Sequence, residues 1–367
     1  VAVHARLFDT DQASQFSTHF AEATLLFTNS SAGDERVTPP PLAGAEPLDW
    51  TAGDIYPDRL IQGPLLQTVA RVVQRGSDGL DYELVVPPRA GTVRHTEIPL
   101  FACWPQVLDG VGSGLMLWNA AEKFNGLISL PFHIRGIRFL VSAFTEKTPL
   151  NCYLRIKATT PKSSIANIWV TDGRGRLLID IAGWEELQYT VSRPLHRLVM
   201  RPRDSYLAQE LPQSLFGEVT APVVGGIVTD LSPQTFEINQ GLWLQTLAFT
   251  VLSAAEREEW LTMQGAPGRR VEWLLGRTAA KDCVRRYLLD HHQQRWGASD
   301  IPIWADDSGK PHPHGAWREQ VPVLIDLSIA HTPGLVAAAI AANARIGIDV
   351  ERTGRDLSED FTRGAFT

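Results

Sequence analysis

Apolar and polar residues alternate along the first 28 residues of the chain, in the bursts VAVHARLF and HFAEATLLF. A period of two is typical of a strand with one buried face, so this pattern predicts half-buried strands from the end of a sheet. Residues 29–50 lose the periodicity and are rich in Pro, Gly, Ser and Ala. Because such a composition cannot bury enough surface to order itself, it predicts a linker.

Between residues 51 and 200 the pattern mixes several strands with one helix. The segment LFACWPQVLDGVGSGLMLWNAAEKF has helical spacing after Pro105. In IANIWVTDGRGRLLIDIAGWEEL, two strand-like runs flank the turn Asp172-Gly173-Arg174-Gly175, whose Asp-Gly step provides the positive φ of a tight hairpin. The pattern therefore predicts one helix lying on an antiparallel sheet.

A second boundary is expected at residues 201–240, which return to Pro, Gly and polar residues. Ser253 and Glu256 have the spacing of a capping box and predict a helix start, and Pro267 marks the start of a second helix. Strand-like runs then follow in VPVLIDLSI, LVAAAIA and ARIGIDVE. This part of the chain is therefore also expected to be α+β.

Length and charge narrow the class of protein. The 367 residues are about twice the length of an ordinary domain, so two domains are expected. With 34 Lys and Arg against 41 Asp and Glu, the net charge is -7, which argues against binding along the phosphates of a nucleic acid. A local basic cluster around one small phosphorylated ligand is compatible with this charge.

The cysteines and the lengths of the apolar runs indicate in which cellular compartment the protein is expected. Cys103, Cys152 and Cys283 form no CxxC pair, so we expect no disulfide framework and no thiolate zinc site, and a reducing cytoplasm fits. No apolar run approaches the roughly 20 residues of a membrane helix, and the N-terminus lacks the order of a signal peptide. The missing initiator Met and the ending GAFT suggest a segment of a longer polypeptide.

Two acidic residues, Asp349 and Glu351, stand two positions apart in the last strand-like run. Because side chains of a strand alternate, both carboxylates are expected to point the same way. Mg²⁺ takes one or two protein carboxylates and completes its coordination with water and substrate phosphates. The spacing leaves two interpretations open, a magnesium site or a solvated face that pairs with a nearby Arg.

Arg277 and Lys281 lie four residues apart and are therefore expected on one face of the second helix. Cations on one face favour an anion as ligand. The alternative is a solvated basic stripe whose partners are Glu272 and Asp282.

Three further polar residues are candidate site residues, and for one of them, Lys310, the sequence suggests a phosphate as the ligand. Lys310, in the sequence SGKP, follows a flexible Gly and precedes a rigid Pro, so its ammonium could stand over a phosphate or lie on a loop surface. His331 and Thr332 place an imidazole and a hydroxyl together at a strand end, where a capping or packing role is the alternative.

Four motifs occur in a fixed order: GRTAAKD, DDSGKP, LSIAHTPG and GIDVE. With them, residues 205–367 resemble the N-terminal part of the surfactin-type 4′-phosphopantetheinyl transferases. The resemblance implies transfer of phosphopantetheine from coenzyme A to a serine of an acyl carrier protein. It assigns Mg²⁺ to Asp349 and Glu351, coenzyme A contacts to His331 and Thr332, and the phosphate side to Lys310, Lys281 and Arg277. In the family a glutamate of a W-x-x-K-E type helix is the base, and RGAFT resembles the lead-in to that helix.

Asp109 lies in the apolar helical segment, where an ionised carboxylate without a partner is costly, so its pKa is open to change. A helix-face aspartate before Gly110 is the alternative. With IQGPLLQ, Leu130-Pro131 and DGRGRLLIDIAGWEEL, residues 1–200 resemble the C-terminal half of a polyketide synthase dehydratase and the end of its first half, a double hot-dog fold.

The dehydratase resemblance implies loss of water from a β-hydroxyacyl thioester, with Asp109 acting together with a histidine of the first half. The family often has Tyr where this chain has Gln62, and Gln or His where it has Ser113. Gln67 is either a substrate contact or a surface amide.

Together the resemblances imply the C-terminal end of an iterative, enediyne-type type I polyketide synthase. The expected order is the tail of a first hot-dog with a linker (1–40), a second hot-dog (41–200), a linker or transferase start (201–240) and an N-terminal α+β half of the transferase (241–367). The transferase is expected to load the synthase's own acyl carrier protein, and a homodimer through the dehydratase is left open. The alternative is a non-catalytic scaffold that docks acyl carrier protein and retains a coenzyme A-binding relic.

Overall fold

The computed structural model describes residues 1–8, 19–27, 34–93, 96–97, 99, 101, 103–123, 126–229, 231, 236, 241–264 and 267–351. Its strands are β1 (Ala2–Phe8), β2 (His19–Leu26), β3 (Glu46–Thr51), β4 (Val69–Gly76), β5 (Gly79–Val85), β6 (Leu127–Phe139), β7 (Pro149–Thr159), β8 (Ser163–Thr171), β9 (Leu177–Thr190), β10 (Gln209–Glu210), β11 (Val223–Val228), β12 (Ile303–Ala305), β13 (Pro311–Pro313), β14 (Ile325–Thr332) and β15 (Leu335–Ala342).

The helices are α1 (Ala52–Ile55), α2 (Pro105–Lys123), α3 (Arg193–Met200), α4 (Leu242–Val251), α5 (Ala254–Thr262), α6 (Pro267–His292) and α7 (Trp317–Gln320). Single 3₁₀ turns occur at Pro64–Leu66, Gln213–Phe216 and Ala298–Asp300. None of these helices is both long and apolar enough to cross a membrane.

A seven-stranded sheet carries one long helix, as the alternation of residues 51–200 predicts. The strand order is β3-β4-β5-β7-β8-β9-β6, and its neighbouring strands pair antiparallel. Helix α2 lies on this sheet and buries Val107, Val111 and Leu115 completely. The arrangement is an antiparallel sheet wrapped on a helix, the fold that the dehydratase resemblance implies.

Glycines let α2 approach the sheet closely. A Cβ added to Gly112 would lie 2.1 Å from the Trp184 ring, and one added to Gly114 would lie 2.4 Å from the Tyr82 ring. No side chain fits at such distances, so the two glycines give α2 a flat face on which the Trp184 and Tyr82 rings pack.

The hairpin of β1 and β2 corrects the first expectation. The two strands pair as the alternation predicts, but residues 1–7 and 21–27 are exposed on both faces, so they are not half-buried. One face is apolar and includes Val3 and Leu25, and the other carries the Arg6–Glu22 ion pair.

Two expected linkers contain ordered strands. Within 29–50, Arg36 bridges to Arg176 and β3 begins at Glu46. Within 201–240, β10 and β11 belong to the second sheet. The polar and Gly-rich composition misled here because these strands gain their order from pairing with distant parts of the chain.

The second sheet has the order β10-β11-β15-β14 and packs against α6. Ser253 caps α5 through a capping box with Glu256, and α6 begins at Pro267, both as predicted. The segment ARIGIDVE, predicted to be a strand, is assigned no strand. It is held beside β14 by side chains instead of by a backbone ladder.

The two parts of the chain also touch. Ile128, Leu195 and Leu198 are buried in the apolar core around α6, and the Tyr189 and Trp243 rings meet edge to face with centroids 6.0 Å apart. The end of the hot-dog sheet and α3 therefore pack on the helices of the second part.

Candidate functional site

The first candidate site surrounds Asp109, one turn into α2. Thr68, directly before β4, donates its hydroxyl to the Gln106 carbonyl at 3.4 Å, which ties the start of the strand to the helix. A Cβ on Gly110 would come within 2.0 Å of Thr68 Oγ1, so only glycine allows this approach. The helix start and the strand start are thereby held together around the Asp109 side chain.

The Asp109 carboxyl is partly buried, and its Oδ2 has no hydrogen-bond partner among the described residues. Burial raises the pKa of Asp109, and a hydrogen bond from the Gln62 side chain opposes this rise. The Tyr56 hydroxyl nearby accepts the Val69 amide at 2.7 Å. Burial and the Asp109 charge both raise the pKa of Tyr56, so the phenol stays neutral. An acid with a raised pKa in such surroundings can carry and release a proton.

Other polar groups near Asp109 serve the backbone. Ser113 donates its hydroxyl to the Asp109 carbonyl at 2.9 Å. Gln67 donates to the Gln62 carbonyl at 3.1 Å and is exposed, so the structure supports its role as a surface amide of the loop.

The second candidate site lies along β14. The Ile346 amide donates to Asp326 Oδ2 at 2.9 Å, and the Ile348 amide donates to Ser328 Oγ at 3.2 Å. The two bonds advance by two residues on both segments, so residues 344–351 run parallel to β14.

Asp349 and Glu351 lie on the outer side of this segment. Residues 345, 347, 349 and 351 are exposed, whereas 346, 348 and 350 are partly buried. The two carboxylates therefore share one exposed side, the relationship that strand alternation predicts, although no strand is assigned. Asp349 Oδ1 accepts the Val350 amide at 2.8 Å.

His331 and Thr332 lie at the end of β14 but face different sides of the sheet, because consecutive strand residues alternate. His331 Nδ1 is 3.8 Å from Glu272 Oε2 on α6, and its side chain is more than half exposed. Thr332 lies on the side of Asp326 and Ser328. The imidazole and the hydroxyl are adjacent in the chain without facing one another.

Lys310 is paired with Asp326 at the other end of β14. Burial would raise the pKa of Asp326, but the bonds from Lys310 and the Ile346 amide outweigh it, and the pKa is lowered. Since Asp326 and His331 are five residues apart in one strand, about 16 Å separates the Lys310 end from the His331 end. Lys310, predicted for the phosphate side, and His331, predicted as a coenzyme A contact, therefore lie near opposite ends of the strand.

A cavity of about 310 Å³ adjoins the turn that carries Lys310, and its walls include Trp304, His312, His314 and Arg318. Asp306 at its edge accepts the Lys310 amide at 2.9 Å and the His312 ring at 3.0 Å. These bonds and those from Ser308 hold the pKa of Asp306 far below its usual range. The turn is thus fixed by one ionised carboxylate.

Lys281 requires a correction. Its side chain and that of Glu256 are completely buried, with Nζ 2.6 Å from Glu256 Oε2 and 2.8 Å from the Val251 carbonyl. Burial lowers the pKa of Lys281, and Glu256 opposes this. The ammonium joins α5 to α6 inside the core and is not a phosphate contact.

Arg277 is partly buried over the Trp273 ring, at 4.6 Å from the centroid, and its Nε has no partner among the described residues. Burial lowers its pKa. The expected partners of this stripe are engaged elsewhere, since Asp282 binds Arg285 at 2.8 Å and Glu272 faces His331.

The structure describes residues up to 351, so the predicted lead-in RGAFT lies outside it. Within the described part, no cluster of three or more His, Cys, Asp or Glu could hold a metal ion. Sequence reasoning missed Asp326, whose signal was an outward polar position in an otherwise apolar strand, and Tyr56, which no pattern singled out.

Comparisons with known proteins were made at three levels. No family model matches the chain, and no curated protein matches it. Among solved structures, the chain is similar to the dehydratase domain from the CurJ module of curacin polyketide synthase, with 16% identity and a TM-score of 0.39 over 52% of this chain and 64% of that chain. It is also similar to the dehydratase domain from the terminal module of the rifamycin polyketide synthase, with 20% identity and a TM-score of 0.36 over 51% of this chain and 63% of that chain.

A third similar structure is the holo-[acyl-carrier-protein] synthase AcpS from Neisseria meningitidis, with 21% identity and a TM-score of 0.27 over 33% of this chain and 97% of that chain. The chain spans less than two thirds of the length of the two dehydratase domains. At TM-scores below 0.5, an activity must be inferred from the residues of this chain.

Proposed function

We propose that residues 41–200 dehydrate β-hydroxyacyl thioesters carried on an acyl carrier protein, with Asp109 as the acid. The observation that carries this proposal is that the buried Asp109 Oδ2 has no partner among the described residues, on a carboxyl whose pKa is raised by burial. A protonated carboxyl at this place can donate to the hydroxyl that must leave.

In the proposed reaction a general base removes the α proton of the acyl chain, and the electron pair of that C–H bond forms the new double bond. The C–O bond at the β carbon breaks as Asp109 gives its proton to the hydroxyl, and water leaves. The resemblance assigns the base to a histidine of the first hot-dog. His4 is no candidate, because it lies in the exposed hairpin and contacts Thr24 and Glu22.

The test is turnover of a β-hydroxyacyl carrier protein by the full-length protein, followed by mass spectrometry. The wild type should release water, and Asp109→Asn, which keeps the shape but cannot supply the proton, should retain the hydroxyl. Ser113→Ala is the matched control on the same helix and should dehydrate as the wild type does. Equal dehydration by Asp109→Asn and wild type would remove Asp109 from the mechanism.

As a second activity we propose transfer of 4′-phosphopantetheine from coenzyme A to a carrier-protein serine. The observation that favours it is the shared exposed side of Asp349 and Glu351 on a segment that runs parallel to β14. Continued by three residues beyond the Ser328 bond, the same register brings residue 351 level with His331. The spread from Lys310 to His331 suits an extended ligand with several phosphates better than a single phosphate.

The donor set fits a magnesium ion. Two carboxylates on one exposed side offer the hard oxygen ligands that Mg²⁺ prefers, with room for water and substrate phosphates. We propose that Asp349 and Glu351 hold it, where it would neutralise charge on the pyrophosphate as the leaving group departs. Lys310 and His331 would supply positive charge or donors at the two ends of the ligand.

The transferase test uses an apo carrier protein incubated with coenzyme A, Mg²⁺ and the full-length protein. Mass spectrometry should show a phosphopantetheine adduct for the wild type and none for Asp349→Ala. Asp307→Ala, an exposed aspartate of the same region, is the control and should keep the adduct. No adduct with the wild type would favour the scaffold that docks carrier protein without turnover.

A further inference from the structure

A small cavity of about 30 Å³ lies where α2 begins. One wall comes from the segment between β5 and α2 and includes Arg89 and Trp104. The other comes from the end of β6 and the loop after it, and includes Phe139 and Phe144. Asp109 is not among the described residues that line it, so this cavity is separate from the first candidate site.

Two nitrogen donors in these walls lack a hydrogen-bond partner. They are Trp104 Nε1 and Arg89 Nε, and neither donates to a described residue. Trp104 is only 5% exposed, so its N–H is removed from bulk water. Buried donors are rarely left unpaired in proteins, because each has lost its hydration. Two of them in the walls of one small cavity indicate an acceptor that binds there.

Stacking holds the two donors close together. The Arg89 guanidinium lies over the Trp104 ring, with its Cζ atom 4.4 Å from the ring centroid. The Phe144 ring meets the Trp104 ring edge to face, with centroids 6.0 Å apart. Gln106 of α2 donates to the Pro88 carbonyl at 3.3 Å, which fixes the segment that carries Arg89. Both donors are therefore in place before a ligand arrives, and a stacked guanidinium keeps its planar edge available for hydrogen bonds.

The charges around the cavity favour an anion. Arg89 brings a positive guanidinium, and none of the described lining residues is acidic. A nearby carboxylate, Glu146, accepts the backbone amide of Arg89 at 3.0 Å, and in the described structure no ion pair joins the two side chains. The start of α2, directly after Trp104, adds the positive end of a helix dipole.

We propose that this cavity binds the carboxylate of a small organic acid, which accepts from Arg89 and Trp104 while its hydrocarbon part lies on Phe139 and Phe144. Two donors match the two oxygens of a carboxylate. A volume of about 30 Å³ admits a head group of this size and is too small for a nucleotide. Phe139 is 43% exposed and offers apolar surface beside the head group. The site depends on neither of the two proposed activities.

Binding is tested with hexanoate as the probe and the full chain as the protein. Isothermal titration calorimetry should show saturable binding of hexanoate to the wild type. Hexanol has the same hydrocarbon chain without the charge, and inorganic phosphate has charge without the chain. Each should bind at least about tenfold more weakly. Equal binding of hexanol would reduce the site to an apolar pocket, and equal binding of phosphate would remove the role of the two phenylalanines. Either result would overturn the proposal.

The indole N–H of Trp104 reports directly on the contact. In the chain labelled with ¹⁵N at tryptophan, Trp104→Phe identifies the resonance, because it removes the N–H and keeps a ring under Arg89. Hexanoate should move this resonance downfield in the wild type, since the N–H gains a charged acceptor. A resonance that does not respond would mean that water alone occupies the cavity, and would overturn the proposal.

Variants of the arginine separate charge from geometry. Arg89→Met should abolish both the shift and the binding of hexanoate. Arg89→Lys keeps the charge and guards against misfolding, but it lacks the planar edge and should weaken binding several-fold. Arg174→Met, at an exposed arginine of the turn after β8, is the matched control and should bind hexanoate as the wild type does. Wild-type binding by Arg89→Met would place the anion elsewhere on the protein and contradict the assignment.

Discussion

The two candidate sites differ in how their charged groups are satisfied. Asp109 is partly buried, burial raises its pKa against the effect of the Gln62 side chain, and its Oδ2 has no partner in the described structure. Asp349 and Glu351 are exposed. Two of the cations predicted for the phosphate side of the ligand hold carboxylates of the protein, since Lys310 binds Asp326 and Lys281 binds Glu256.

The Asp109 site therefore has its side chains arranged by folding alone, whereas the site along β14 needs a ligand to bring its charged groups together. Around Asp109, tight contacts between helix and strand set the geometry before any substrate arrives. Along β14, the attraction between carboxylates and cations is already used within the protein. Binding there must exchange those ion pairs for contacts to metal and phosphate, so a basic residue in a motif is not necessarily free for a ligand.

The largest expected change in stability comes from replacing Lys281. Within the described part of the chain, Lys281→Met would leave the buried Glu256 with the Ser253 and Ile303 amides as its remaining partners. We expect a loss of about 3–5 kcal/mol in the free energy of unfolding of the second part, measured by thermal and urea denaturation.

Two further variants sharpen the Lys281 test. The double variant Lys281→Met/Glu256→Gln should recover much of the loss, because the unpaired charge is gone and the glutamine oxygen still accepts one of the two amides that bind Glu256. Lys310→Met, at a partly exposed pair, should cost less than about 1 kcal/mol. A small effect at Lys281 would mean that this lysine is accessible after all and restore it as a ligand contact.

A buried acid elsewhere in the first part tests whether this region favours neutral carboxyls in general. Burial raises the pKa of Glu186 to about 7, although Ser129 and Trp184 donate to it. The folded state then holds the proton more tightly than the unfolded state. The stability contributed by this proton is complete below about pH 4.5 and is lost as the pH rises toward and through 7.

Glu186→Gln should therefore be more stable than the wild type at pH 8, by up to about 3 kcal/mol, and close to it near pH 4.5. The measurement is the melting temperature across this pH range. If the melting temperatures of the two proteins change with pH in parallel, Glu186 is ionised inside the fold. The first part of the chain would then not differ from the exposed Asp349 and Glu351 in favouring neutral carboxyls.

Local signals in the sequence predicted the elements with local causes. Pro105 starts α2, Pro267 starts α6 and Ser253 caps α5, because each depends on a few neighbouring residues. The turn after β8 was also predicted, but its positive φ lies at Gly175 instead of Gly173. Asp172 Oδ1 accepts the amides of Arg174 and Arg176 at 2.8 and 3.0 Å, which shapes a longer turn.

What the sequence could not show depends on distant contacts. Lys281 and Arg277 share a helical spacing, yet only the packing of α5 over α6 buries the lysine with Glu256. Asp349 and Glu351 share a side, but it was Asp326 and Ser328 that organised their segment. The Asp109 site was found by its apolar surroundings, whereas the bond from Gln62 requires a loop and a helix to meet.

A smaller loss of stability is expected from a change where α2 packs on the sheet. It tests whether this packing positions Asp109. Gly112→Ala would set a Cβ 2.1 Å from the Trp184 ring. Overpacking should outweigh the gain in helix propensity and cost about 1–2 kcal/mol, with a loss of dehydration as Asp109 shifts. Gly136→Ala, where a Cβ meets nothing within 4 Å, is the control. If both variants melt alike and Gly112→Ala remains active, the site does not depend on this close approach.

The smallest change in stability is expected at Asp326, and it tests whether Lys310 must be released for binding. Asp326→Asn removes the charge that holds Lys310 but keeps an oxygen for the Ile346 amide, so we expect a change within about 1 kcal/mol.

The same variant should bind coenzyme A with Mg²⁺ several-fold more tightly, because the Lys310 ammonium no longer has to leave a carboxylate before it meets a phosphate. Isothermal titration calorimetry at low and high salt measures this gain, which salt should reduce. Adding Lys310→Met should abolish it. Equal affinity of Asp326→Asn and wild type would place the phosphates away from Lys310 and leave the lysine as part of the turn.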